Sequence, residues 1–93
     1  MKPTPIPDYI LTDHAKFEIQ RRGLSEAVVR EILLAPQQQS EIRPGRVVLQ
    51  SRMSSESAGK TFLLRVFVDI DRRPAEVVTA YRTSKVEKYW RKP

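Results

Sequence analysis

The 93-residue chain has no cysteine, which removes disulfide staples, thiolate nucleophiles and cysteine-based zinc sites together. It has one histidine, His14, so imidazole chemistry has a single address. Apolar runs are short. None approaches the roughly 20 residues that a membrane-spanning helix needs, and the opening "MKPTPIPDYI" is too broken by proline to serve as a signal peptide. The expectation is a cytoplasmic protein with no membrane association. The length leaves no room for a second core, so 1–9 is read as a proline-stiffened arm and 10–93 as a single domain. Acidic residues are also few: 11 Asp and Glu stand against 17 Lys and Arg, a formal net charge of +6.

Arginine dominates that excess. Its planar fork donates two parallel hydrogen bonds to a phosphate, whereas lysine acts as a point charge. The charge balance therefore favours an anionic partner, most simply nucleic acid.

The first half of the chain has helical spacing. Thr12 or Asp13 can cap a helix over 13–22, which Gly23 would end in a left-handed conformation. Ser25 can cap a second helix, "EAVVREILLA", which Pro36 halts. Val28, Val29, Ile32 and Leu33 fall on one face of it, and Leu24 can staple to Val29. Near residue 40 the period changes. Arg43-Pro44-Gly45-Arg46 suits a type II turn between strands at 40–43 and 46–53. A polar loop follows at 54–60. In "TFLLRVFVDI" (61–70), Phe62, Leu64, Val66 and Val68 face one way, and Leu63, Arg65, Phe67 and Asp69 face the other. A turn at 71–74 leads to a strand at 76–83, and Ser84 is placed to cap a short helix over 84–91. The predicted fold is α+β: two N-terminal helices packed on a three- to four-stranded antiparallel sheet, with a short C-terminal helix.

The end of the last strand is the unusual stretch. "EVVTAYRTSK" runs from core residues straight into Tyr81, Arg82, Thr83, Ser84 and Lys85, delivering a phenol, a guanidinium, two hydroxyls and an amine to one place. Arg65 on the partner strand, with Arg43, Arg46 and Arg52 on the hairpin, adds cations. The rings of Tyr81, Tyr89 and Trp90 are available for base stacking. His14, Glu18 and Arg22 recur at four-residue spacing along one side of the first helix. Asp69 and Asp71 end a strand where Asp commonly starts a turn, and a hard cation wants more oxygen ligands than they offer, so neither a metal nor a cofactor is expected.

Two motifs carry a resemblance. "DHAKFEIQRRGLSEAVV" resembles the opening, and "RVFVD…EVVTAYRTSKVEKYW" the closing strands, of the domain-of-unknown-function 4258 family of small bacterial proteins, over about residues 10–91. That family often has Arg four residues after the histidine, where this chain has Glu18. The order of elements is also similar to BrnT-type and RelE-type toxins, which are metal-independent ribonucleases held by co-produced antitoxins. The resemblance implies an endoribonuclease that cleaves RNA by attack of a ribose 2′-hydroxyl, and a small acidic antitoxin-like partner. Such cleavage needs a base, a cation for the phosphorane charge and an acid. The candidate catalytic residues are His14 as base or acid, Arg22 and Arg82 for charge, and Tyr81 as proton donor or stacking platform. The candidate RNA-binding residues are Arg43, Arg46, Arg52, Arg65, Thr83 and Lys85. The alternative is a module of the same fold that binds RNA or protein and does no chemistry.

Overall fold

The computed structural model of the protein describes residues 2–55 and 59–92. The elements in chain order are β1 (Tyr9–Leu11), α1 (Asp13–Arg21), α2 (Glu26–Leu34), β2 (Gln38–Arg43), β3 (Arg46–Ser55), β4 (Lys60–Asp69), β5 (Ala75–Thr83) and α3 (Val86–Tyr89). Within the polar loop expected at 54–60, residues 56–58 lie outside the described residues.

The helices start and stop where the side chains allow. Thr12 Oγ1 accepts a hydrogen bond from the Ala15 amide at 3.0 Å, satisfying one of the free donors of α1. At the other end Gly23 takes φ +69°, its amide bonds to Gln20 and the Leu24 amide reaches back to Ile19. This six-to-one closure is the Schellman arrangement, which needs a residue tolerant of left-handed backbone. Ser25 then caps α2 through the Val28 amide at 3.1 Å. Gly45 adopts φ +86° in the β2–β3 turn, as the third position of a type II turn requires.

The strands form one five-stranded sheet in the order β1-β5-β4-β3-β2. Pairing is antiparallel except for β1 with β5, which is parallel. The chain thus begins at one edge, crosses one face as α1 and α2, and re-enters at the other edge as β2. The sheet is larger and more mixed than the antiparallel three or four strands expected, because the end of the presumed arm is a strand. Tyr9 pairs with Ala75 far along the chain. Residues 4 and 6 are also held: the Ile6 amide bonds to the Leu33 carbonyl at 2.8 Å and the Thr4 amide to Gln39 Oε1 at 2.7 Å.

The main core lies between the helices and the sheet. Ala15 and Ile19 of α1 and Val29, Ile32 and Leu33 of α2 bury against Val47, Leu49, Leu64, Val66, Val68, Val77 and Ala80. Val28, expected in the same seam, packs half-buried against it. The pairing of 61–70 with 76–83 also holds, with one irregularity. Phe67 pairs with Thr79 and Val68 with Val77, so Val78 is an extra residue in β5. Such a bulge switches which face the following side chains take. Val77, Ala80 and Arg82 therefore point to the helices and Tyr81 and Thr83 to the opposite face, while Thr79 beside the bulge accepts a hydrogen bond from Arg22 Nη1 through its Oγ1 at 3.3 Å.

That opposite face is crossed by the C-terminal segment. Here the helix expected over 84–91 is one short turn, and Ser84 does not cap it. Lys85 takes the N-cap position without a side-chain bond, and its amide donates to Thr83 Oγ1 at 3.1 Å. The segment is tied down beyond the turn. Gln50 Nε2 donates to the Tyr89 carbonyl at 3.1 Å, and Gln38 Nε2 donates to the Arg91 carbonyl at 2.6 Å. Among the described residues no helix is long and apolar enough to cross a membrane.

Candidate nucleic-acid interface

On the face away from α1 and α2, the register aligns four polar side chains in a row across four strands: Gln38, Gln50, Arg65 and Tyr81. They bond in sequence. Gln50 Nε2 donates to Gln38 Oε1 at 2.7 Å, Arg65 Nε donates to Gln50 Oε1 at 3.0 Å, and Arg65 Nη1 donates to the Tyr81 hydroxyl at 2.7 Å. Aromatic rings flank the row. Tyr81 stacks on Phe67 with centroids 5.9 Å apart and meets Tyr89 edge to face at 6.3 Å. The Arg65 guanidinium lies 4.2 Å from the centre of the Tyr89 ring, close enough for cation–π attraction.

Arg65 is thus fixed without being used up. A guanidinium has five N–H donors, and among the described residues two of them are taken, by Gln50 and Tyr81, leaving three. Among the described residues no carboxylate forms a salt bridge with Arg65, Arg52 or Arg82, the ion pairs being Arg21–Glu18, Arg22–Glu18 and Arg46–Asp69. A half-buried cation held in one orientation, with donors free and no counter-charge, is preorganised for a phosphate. Beside it, the Tyr89 hydroxyl is held below the usual tyrosine range, first by the neighbouring Tyr81 hydroxyl, then by Lys88 and by the charge on Arg65. A phenol shifted in that direction ionises more readily and suits a proton acceptor.

The four candidate catalytic residues do not converge. Tyr81 belongs to the row just described. Arg82, paired with Leu64, takes the helix side, where it lines a cavity with Gly23, Leu24, Ser25 and Met53 and lies 5.1 Å from the centre of the Phe62 ring. His14 is exposed in the first turn of α1, whereas that cavity lies past its last turn, about 13 Å further on at 1.5 Å per residue. Arg22 is engaged in holding α1 to the sheet. Its Nη1 donates to the Ala80 carbonyl at 2.7 Å, and its Nη2 lies 3.1 Å from Glu18. Glu18 is nearly buried, and its carboxyl is held below the usual range first by its hydrogen bond from Arg21 and then by the charges of Arg21 and Arg22.

The candidate RNA-binding residues divide as well. Arg65 is central, and Arg52 shares its face, with its guanidinium 3.8 Å above the Trp90 ring. Thr83 and the exposed Lys85 sit where β5 gives way to the C-terminal segment. Arg43 is exposed at the far turn. Arg46 is neutralised: its Nε and Nη2 reach the two Asp69 oxygens at 2.7 and 3.1 Å. Among the described residues no group of three or more His, Cys, Asp or Glu is placed to hold a metal.

The Arg46–Asp69 pair sets a pH test. Its hydrogen bond from Arg46 holds the Asp69 carboxyl below the usual value of 3.8. A folded pKa below the unfolded one stabilises the protein above that usual value, and the contribution fades as pH falls through the folded value. Asp69→Asn should therefore cost about 1 kcal/mol at pH 7, with the gap to the parent closing below pH 3.8 in urea melts. An equal gap in strong acid would mean that the pair contributes nothing through its charge.

Sequence reasoning placed Arg65, Tyr81, Tyr89 and Trp90 in view but missed Gln38, Gln50 and Phe67. The signal for Gln50 was present. It sits on the same strand parity as Arg52, and pairing 46–53 with 61–70 as a hairpin brings it opposite Arg65.

A family model described as "Domain of unknown function (DUF4258)" matches residues 11–82, from the last residue of β1 to Arg82. No curated protein and no solved structure matches the chain.

Proposed function

The chain belongs to the DUF4258 family, and we propose that it is an endoribonuclease that grips single-stranded RNA across the aromatic, Arg65-bearing face of its sheet and cleaves it with side chains alone. The observation that carries this reading is Arg65, fixed between Gln50 and Tyr81 with, among the described residues, three donors free and no carboxylate partner.

In this reaction Tyr89, as phenolate, takes the proton from a ribose 2′-hydroxyl. The 2′-oxygen attacks the adjacent phosphorus, and the free N–H groups of Arg65 stabilise the charge that builds on the phosphorane oxygens. The bond from phosphorus to the 5′-oxygen then breaks, and Tyr81 supplies the proton to that leaving oxygen. The products are a 2′,3′-cyclic phosphate and a 5′-hydroxyl. The row replaces the earlier grouping around His14 because it brings cation and proton-transfer groups to one place, which His14 and Arg82 do not share. The toxin-like kinship belongs to the same proposal, and so does an acidic partner, whose carboxylates would pair with Arg52 and Arg65 and block phosphate entry.

A second reading, binding without cleavage, is favoured by the Arg52–Trp90 stack, which offers a base platform but no group that moves a proton. Incubating the purified protein with RNA in excess EDTA separates the two. The nuclease reading expects fragments ending in cyclic phosphate whose yield rises with pH and falls in Tyr89→Phe. Intact RNA that is nevertheless bound would leave the binding reading in its place.

A further inference from the structure

Beyond the Arg65 row, a separate cavity opens between the β3–β4 hairpin and the C-terminal segment. It is lined by Arg52, Thr61, Val86, Glu87, Trp90 and Lys92. We infer that this cavity is a base-selecting subsite that takes a guanine of the bound RNA; the inference rests on the RNA reading above.

The composition of the wall is the reason. Trp90 and Val86 offer aromatic and apolar surface to a base, and the Arg52 guanidinium, stacked 3.8 Å over the Trp90 ring centre, covers one face of the indole and presents its own outer plane to a base. Indole rings and guanidinium planes both stack bases. Arg52 and Lys92 supply positive charge for a flanking phosphate. Those features suit any nucleotide, and Glu87 makes the difference.

A carboxylate in a phosphate-binding wall repels the backbone and is out of place unless it reads something else. Among the described residues Glu87 forms no salt bridge, although Arg52 and Lys92 line the same cavity. Its two oxygens accept and cannot donate. Guanine is the base that presents two adjacent donors, the ring N1–H and the 2-amino group, in the spacing of a carboxylate fork. Adenine and cytosine present one amino group beside an acceptor, and uracil presents one N–H between two acceptors. The expected preference is that of a bidentate base contact, about tenfold or more.

The test uses the lone tryptophan of the chain as reporter. Hexamers of uridine carrying one central guanosine, inosine or adenosine, all with 2′-O-methyl sugars to prevent cleavage, are titrated while Trp90 emission and the anisotropy of an end label are followed together. The guanosine hexamer should quench Trp90 at roughly tenfold lower concentration than the adenosine hexamer. Inosine, which lacks the 2-amino group, should fall between them. Glu87→Gln should erase the preference without lowering affinity for all-uridine hexamer. Equal affinities, a preference that survives Glu87→Gln, or binding that leaves Trp90 emission unchanged would each overturn the subsite. GMP and AMP serve as a separate arm. If no hexamer binds yet GMP quenches Trp90 more strongly than AMP, the RNA reading fails and the guanine pocket stands. If neither hexamers nor GMP act, both fall.

Discussion

Arg65→Ala should slow RNA cleavage by roughly a hundredfold or more, the usual consequence of removing a preorganised charge-stabilising donor, and should weaken RNA binding with it. The size follows from the side chain's position. Its guanidinium is held by Gln50 and Tyr81 and lies against the Tyr89 ring, so no reorganisation is needed when a phosphate arrives. Arg65→Lys separates charge from geometry. An ammonium keeps the positive charge but cannot bond Gln50, Tyr81 and a phosphate in one plane, so part of the binding should return and little of the cleavage. Arg72→Ala, in the exposed β4–β5 turn, is the matched control and should change neither. Gel assays of cleavage and anisotropy of a labelled oligonucleotide read the two effects. Equal losses in the Arg65 and Arg72 variants would reduce the role of Arg65 to its contribution to net charge.

The largest expected loss of stability comes from Leu33→Ala. Leu33 is 0% exposed and sits in the seam where α2 meets the sheet, and its carbonyl also holds the Ile6 amide. Truncating a buried leucine costs about 2–5 kcal/mol through lost burial and the cavity left behind. A domain of this size has a total of roughly 5–14 kcal/mol, so the variant should be close to unfolding at 37 °C. Its neighbour Leu34 is 39% exposed, and Leu34→Ala should stay within about 0.5 kcal/mol of the parent. Urea melts of the pair should differ sharply in midpoint. Similar midpoints would contradict the placement of α2 on the sheet.

The helices were legible because their signals are local. Thr12, Gly23 and Ser25 mark ends through bonds that span three to five residues, and the apolar spacing of α2 declares its buried face. The β3–β4 and β4–β5 pairings were legible through alternation and turns. β1 was not, because three residues are too few to display a period and its partner strand begins at Ala75. The site was half legible. Composition drew attention to the arginines and to the polar end of β5, but which of them share a face depends on the Val78 bulge, which no turn residue announces. The hairpin register that sets Gln50 opposite Arg65 also sets Arg46 opposite Asp69, a pairing the sequence reading overlooked, whereas nothing local reveals that Arg22 is taken up by the Ala80 carbonyl. Both pairings are long-range, and they remove from the candidate set two cations that look free when read along the chain.

The central claim is that RNA lies on the face carrying Arg65 and not on the helix side with Arg82. Amide chemical shifts recorded while a 2′-O-methyl RNA hexamer is added would test it residue by residue. The account predicts perturbations that cluster at Gln50, Arg65, Tyr81 and Tyr89 and spare His14, Arg22 and Gly23. Perturbations centred on His14, Gly23 and Arg82, with the Arg65 row unmoved, would contradict it.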